Sequence, residues 1–230
     1  MTSNFEHPSY LFHGTDMKVF LFSDEGRLDY FESCWRVLNH INPFYERLGP
    51  FSYQTLIDAQ LDDEVVAKIQ RAARDLHSIN QGNHQYEYGD LYLHSSIAEA
   101  WSYALNSYGG GELGTNTYNL ILGAEALKYD GWNTDMGLME EIASIKAFAA
   151  IPPEPVLFIF PWEEMDASCI KQDTGAELSN DNSERYRYLK QVDLYYYEDK
   201  VLLPKEIKDP KRYKTEELIS LLNRLRKNQG

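Results

Sequence analysis

The chain has 230 residues, 43% of them hydrophobic, with a formal net charge of −14 and an isoelectric point near 4.8. That length and apolar content fit one large domain with a real core. The acidic balance argues against nucleic acid as a partner, because phosphate backbones are held chiefly by clusters of Lys and Arg.

The first elements are short. Residues 10–13 and the "KVFLF" run at 18–22 read as strands separated by a turn, being apolar, aromatic and bounded by Gly, Asp and Ser. A helix is expected over 27–39, with Leu28, Phe31, Trp35 and Leu38 on one face, and "NPF" and "LGPF" then punctuate a loop. Residues 62–79 carry Val65, Ile69, Ala72, Leu76 and Ile79 at three- and four-residue spacing behind Asp62, Asp63 and Glu64, the acidic start that a helix dipole favours.

Residues 88–111, "YGDLYLHSSIAEAWSYALNSYGGG", form a strand, a tight link and a helix. Leu91–Leu93 is the strand, and Ser96 followed by Glu99 is a capping box. Ile97, Ala100, Trp101, Ala104 and Leu105 make the buried stripe, and "GGG" stops the helix. "TYNLIL" at 117–122 reads as a further strand, while 140–149 fits strand or helix. "IPPEP" turns the chain, "VLFIF" at 156–160 and "VDLYYY" at 192–197 read as late strands, and "DTGAELSNDNSE" reads as a mobile loop. Residues 214–226 form an amphipathic terminal helix through Leu218, Leu221, Leu222 and Leu225. Strands and helices do not alternate regularly, so the class is α+β.

Cys34 and Cys169 are too few for a disulfide framework and lack metal-ligand spacing, and His77 and His84 also lack metal-ligand grammar; no metal is expected. No run approaches the ~18–20 apolar residues of a membrane span, and the N-terminal residues have neither a basic nor an apolar leader region, so the expected location is cytoplasmic with no membrane partner. The 17 tyrosines fit strands with their hydroxyls at the rim.

Three separated segments carry the chemistry: "YLFHGT" at 10–15, "GDLYLHSSIAEAWSYA" at 89–104 and "EEIASIKAFAAIPPEPV" at 140–156. Together they resemble the ADP-ribosyltransferase superfamily, in its His-Tyr-Glu branch of poly(ADP-ribose) polymerases and diphtheria toxin. His13 is followed by Gly and a hydroxyl residue, Tyr92 and Tyr103 are eleven residues apart, and a glutamate precedes "IPPE". With no linker to divide the chain, a single domain over 1–230 is expected, with a helical insertion over about 27–87 and the terminal helix over about 214–226; the resemblance implies that it is built on a split, mostly antiparallel sheet and leaves the last third of the chain unexplained. It implies NAD as co-substrate, with His13, Gly14, Thr15, Tyr92 and Tyr103 binding it and Glu141 or Glu140 catalytic; Asp193 is a rival carboxylate. One departure is that Glu99 and Ala100 stand where polymerase-like members carry a serine that contributes to the nicotinamide amide contact.

Elementary chemistry agrees with those roles. Nicotinamide is a flat cationic carboxamide that needs stacking rings, which Tyr92 and Tyr103 supply, and backbone groups for its amide, which Gly14 offers. His13 suits a ribose hydroxyl. Cleaving the nicotinamide–ribose bond builds an oxocarbenium-like cation that a fixed carboxylate stabilises. The expected function is mono-ADP-ribosyl transfer to a protein or small acceptor. The alternatives are an NAD glycohydrolase and an inactive module that binds NAD, ADP-ribose or a protein. An RNA 2′-phosphotransferase is disfavoured by the acidic balance and by the absence of an Arg cluster near the motifs in sequence.

Overall fold

A computed structural model describes residues 8–21, 24–48, 56, 61–80, 91–133, 135–172, 184–190 and 192–230. These fall into two compact units. One, the sheet unit, draws on 1–17, 86–106 and 154–230; the other, the helical unit, on 18–85 and 107–153. The insertion expected over about 27–87 thus belongs to a helical unit that also takes in 107–153. The "LGPF" stretch beyond Leu48, His84, and residues 173–183 of the expected mobile loop lie outside the described residues, as do the side chains of Leu28, His77 and Ile79.

The sheet unit holds strands β1 (Tyr10–Asp16), β2 (Leu91–His94), β3 (Pro155–Pro161), β4 (Ile170–Gln172), β5 (Arg185–Tyr188) and β6 (Lys200–Leu202). They form one sheet in the order β4-β5-β2-β1-β3-β6, every pair antiparallel. Pairing is uneven across it. β1 matches β3 along its whole length, from Tyr10↔Pro161 to Asp16↔Pro155, and β2 matches β5 from Leu91↔Tyr188 to His94↔Arg185. Between β1 and β2 the ladder among the described residues is the single pair Phe12↔His94. Among the described residues the sheet is therefore two three-stranded halves joined at one pair.

Two helices of this unit cover one sheet face: α3 (Ile97–Asn106) and α6 (Thr215–Gln229). Their buried Ile97, Ala100, Trp101, Ala104, Leu218 and Leu222 pack with Phe12, Leu157, Ile159 and Val201. The expected stripes are the ones buried, because each is the only broadly apolar face its helix has. The capping role of Ser96 is met by the Glu99 N–H, which donates to its hydroxyl at 3.3 Å.

The helical unit contains α1 (Asp24–Leu48), α2 (Asp63–Asn80), α4 (Glu112–Ala126) and α5 (Met136–Ala150). Five expectations are corrected by the structure. "KVFLF" is not a strand but largely a 3-10 turn, Met17–Leu21, in which Lys18 is buried and donates to the carbonyls of Phe148 and Ile151 at 3.2 and 3.0 Å. This cation sits at the C-terminal end of α5, where the helix dipole favours it. The helix α1 runs on through Pro43 instead of breaking at "NPF". Its last turns are held by tertiary contacts: Tyr45 donates to the Leu120 carbonyl at 2.7 Å and Phe44 packs on Tyr129 at 4.6 Å.

"TYNLIL" is the middle of α4, not a strand. That helix buries Thr117, Asn119, Leu120, Ile121 and Ala124 at once, so several faces are covered and no single stripe marks the helical period. Lastly, "VDLYYY" is a turn: Asp193 Oδ1 accepts the Tyr195 N–H at 3.1 Å, an Asx turn that draws the backbone away from a ladder. The strand comes later, as β6. The "GGG" run does not end α3, which stops at Asn106, but shapes the entry to α4, with Gly110 and Gly111 at φ of 80° and 117°. Residues 140–149, open between strand and helix in the sequence, are helix α5.

Candidate functional site

Main-chain hydrogen bonds fix which way each residue of β1 points. Met17 donates to Glu154 at 2.9 Å and Trp162 to Ser9 at 3.0 Å, both in the β1–β3 register. Odd-numbered residues of this stretch therefore bond β3, and the peptide groups of Phe12 and Gly14 point the other way, toward β2. Continuing the Phe12↔His94 register would set Gly14 opposite Tyr92. That pair is not formed among the described residues. Instead the His13 Nδ1–H donates to the Tyr92 carbonyl at 2.8 Å.

A carbonyl only accepts, so Nδ1 carries the proton and Nε2 keeps its lone pair. Burial lowers the His13 pKa below its usual value, and the Tyr92 carbonyl only partly offsets that. The ring is neutral at pH 7 and offers one acceptor. Thr15, buried and paired with Val156, shares the His13 side of β1.

The opposite face lies under α3. A Cβ on Gly14 would sit 1.7 Å from the Ala100 carbonyl oxygen, so the glycine is demanded by the helix crossing it. Ligand approach is not what its missing side chain serves; what remains for a ligand is its in-plane N–H and C=O on the β2 side. His94, opposite Phe12, shares this face, and so does Tyr92 by alternation. Tyr103 on α3 meets His94 with ring centroids 5.6 Å apart, and the Arg185 guanidinium lies 5.9 Å from the centre of the Tyr92 ring.

Two further residues of this neighbourhood are His94, which the sequence did not single out, and Glu99, which it offered only as a helix cap and as a departure from the polymerase-like pattern. His94 is pushed down to about 4, first by burial and then by Arg185 and His13, with Glu99 opposing. Glu99 lies one turn before Tyr103 on α3, and its largely buried carboxylate takes the Lys211 ammonium at 2.9 Å. The signals were present: His94 follows Tyr92 by two residues on a strand, and Glu99 precedes Tyr103 by four on a helix.

The expected carboxylates belong to other elements. Glu140 and Glu141 lie on α5 in the helical unit, Glu140 exposed and Glu141 ion-paired with Arg36 at 2.5 Å. Asp193 is exposed and occupied in its Asx turn. Cys34 is buried, its thiol pushed up to about 12 by burial, and Cys169 is half-buried; both are free thiols.

Among the described residues no helix is long and apolar enough to cross a membrane. Comparison of the chain with protein-family models, with curated proteins and with solved structures finds no match.

Proposed function

We propose that the sheet unit binds NAD at the parting of β1 and β2, and that the chain is a mono-ADP-ribosyltransferase acting on a protein or small acceptor. The observation that carries this reading is the His13–Tyr92 hydrogen bond at the place where the two strands stop pairing. Among the described residues no β2 residue pairs with Gly14, so its main-chain groups and a neutral histidine stand side by side, the two features that a carboxamide and a ribose hydroxyl need.

In this reading the Gly14 peptide edge takes the nicotinamide amide, and the rings of Tyr92 and Tyr103 bound the flat base. The His13 Nε2 accepts from a ribose hydroxyl and orients the sugar. As the nicotinamide bond lengthens, positive charge grows on the ribose, and a fixed carboxylate lowers the energy of that state. In this reading Glu99, one turn before Tyr103 on α3 and opposing the fall of the His94 pKa, serves that task, with Lys211 ion-paired to it. It takes the part that the sequence assigned to Glu141 or Glu140.

Incubation with NAD tests the reading. Labelling of an acceptor together with nicotinamide release supports the transferase. Release without labelling makes the chain an NAD glycohydrolase, and a raised melting temperature with neither makes it a binding module. No nicotinamide and no shift in melting temperature at millimolar NAD would overturn it.

A further inference from the structure

The helix α5 is apolar on two opposite sides. It buries Leu138, Ile142, Ile145 and Phe148, the stripe that an amphipathic helix turns to a core. On the other side, where polar residues are the rule, stand Met136, Met139, Ala143, Ala147 and Ala150, all exposed. Met136 is 78% exposed and Met139 45%. At 3.6 residues per turn, steps of three, four, four and three keep these five on one narrow stripe. The polar residues Glu140, Glu141, Ser144 and Lys146 lie off it, and Glu141 and Lys146 are ion-paired with Arg36 and Glu125 of the same unit. A helix apolar on both sides belongs in an interior, and a contiguous exposed apolar stripe marks an interaction surface.

The order of side chains along the stripe selects what covers it. Both large residues lie toward its N-terminal end, the alanines run from its middle to its C-terminal end, and the spacing is the same read in either direction. In a parallel pair of such helices methionine would meet methionine and hold the alanine ends apart. An antiparallel pair with a twofold axis at Ala143 sets Met136 level with Ala150 of the second copy, Met139 level with Ala147 of the second copy, and Ala143 beside its own equivalent. Large then meets small in each outer layer, the alternation that lets layers interdigitate, and alanine at the centre permits the close end of the usual 8–10 Å separation of helix axes. Charge agrees with this orientation. The same axis brings Glu140 level with Lys146 of the second copy, whereas a parallel pair would bring glutamate level with glutamate.

We propose that the α5 stripe is the interface of a twofold-symmetric homodimer, with α5 packed antiparallel on α5 of a second copy. The occupant is the same patch on the other chain, as an isologous contact requires. The stripe lies wholly in the helical unit, so the dimer stands whether or not NAD binds. One pair of 15-residue helices is small beside a standard interface, and the expected dissociation constant is on the order of 10–100 μM.

Sedimentation equilibrium on the full chain, from about 5 to about 500 μM, tests it across that range. Wild type is expected to pass from the monomer mass of 26.7 kDa to twice that value. Ala143→Glu sets a carboxylate against its own copy on the axis, at an exposed position and with a good helix former. It is expected to stay monomeric throughout, with the helix content of wild type by circular dichroism.

Cross-linking reads the orientation, in a Cys169→Ser background that leaves the buried Cys34 as the other thiol. With diamide as oxidant, Ala143→Cys is expected to give a disulfide-linked dimer that a reductant reverses. Met136→Cys is expected not to, because the antiparallel pair holds its two copies about 21 Å apart along the helix axis. A wild type that remains monomeric at the highest concentration would overturn the dimer and leave the stripe to a partner of another kind. Equal association of wild type and Ala143→Glu, or cross-linking at Met136→Cys as efficient as at Ala143→Cys, would overturn it too.

Discussion

The imidazole of His13 donates to the main-chain carbonyl of Tyr92 across 2.8 Å, at the point where β1 and β2 cease to pair. A side chain takes the place that a strand N–H would have filled. That substitution fixes the tautomer of the ring and aims its free nitrogen away from Tyr92, and among the described residues no β2 residue pairs with Gly14.

The first prediction concerns rate against pH. Burial holds the His13 pKa below 6.5, so the ring stays an acceptor as pH falls from 8 through 6.5. Nicotinamide release should be level over that range and decline only at lower pH. A profile that bends at 6.5 or above would show that the ring is not held neutral.

Stability follows the same sign at His94. Its folded pKa is about 4 against 6.5 unfolded. Below pH 6.5 the unfolded chain binds a proton that the folded one refuses, so this contribution is complete above 6.5 and is lost as pH falls toward 4. The groups facing His94 are Arg185, His13 and Lys211, which oppose its protonation, and Glu99, which favours it. His94→Gln should therefore flatten the acid side of the melting curve, measured as Tm at pH 7.5, 6, 5 and 4. An acid slope equal to that of wild type would contradict the assignment.

Gly14→Ala should fail for a reason unconnected with any ligand. The added methyl meets the Ala100 carbonyl at 1.7 Å, backbone against backbone, and the expected cost is about 3 kcal/mol or more, since β1 and α3 are both central to the sheet unit. Urea unfolding, or soluble yield where the variant does not fold, reads the effect. A stable Gly14→Ala protein would mean that α3 does not cross β1 as closely as described.

Carboxylate roles separate by substitution. Glu99→Gln keeps the shape of the side chain and removes its charge, and should lower nicotinamide release by about 100-fold with little change in NAD affinity. Glu141→Gln gives up an ion pair with a largely exposed Arg36, worth under about 1 kcal/mol of stability, and should leave release close to wild type. The reverse pattern would return the catalytic role to Glu141.

Local pattern announced the pieces of the sheet unit but not their joining. The strand at Tyr10, the Ser96 cap, the stripe from Ile97 to Ala104 and the terminal leucines were legible because each is a one-sided surface with its own period. α4 was misread because it is buried on several faces, and "VDLYYY" because aromatic content masked the Asx turn at Asp193. Of the candidate site, His13, Gly14, Thr15, Tyr92 and Tyr103, which the resemblance implies, all lie in the sheet unit. His94 and Glu99 carry the same kind of local spacing signal, while Arg185 does not, because what brings it there is register: it lies directly opposite His94 yet far from it in number, which leaves no trace in local sequence. The glycine was found for the wrong reason, its missing side chain making room for α3.

The most direct test of the central claim is NAD-dependent stabilisation and nicotinamide release, measured side by side for wild type and His13→Ala. NAD is expected to raise the Tm of the wild-type chain and to release nicotinamide, and His13→Ala, folded in the absence of NAD, is expected to lose both. Equal stabilisation and equal release in the two proteins, or neither in wild type, would contradict it.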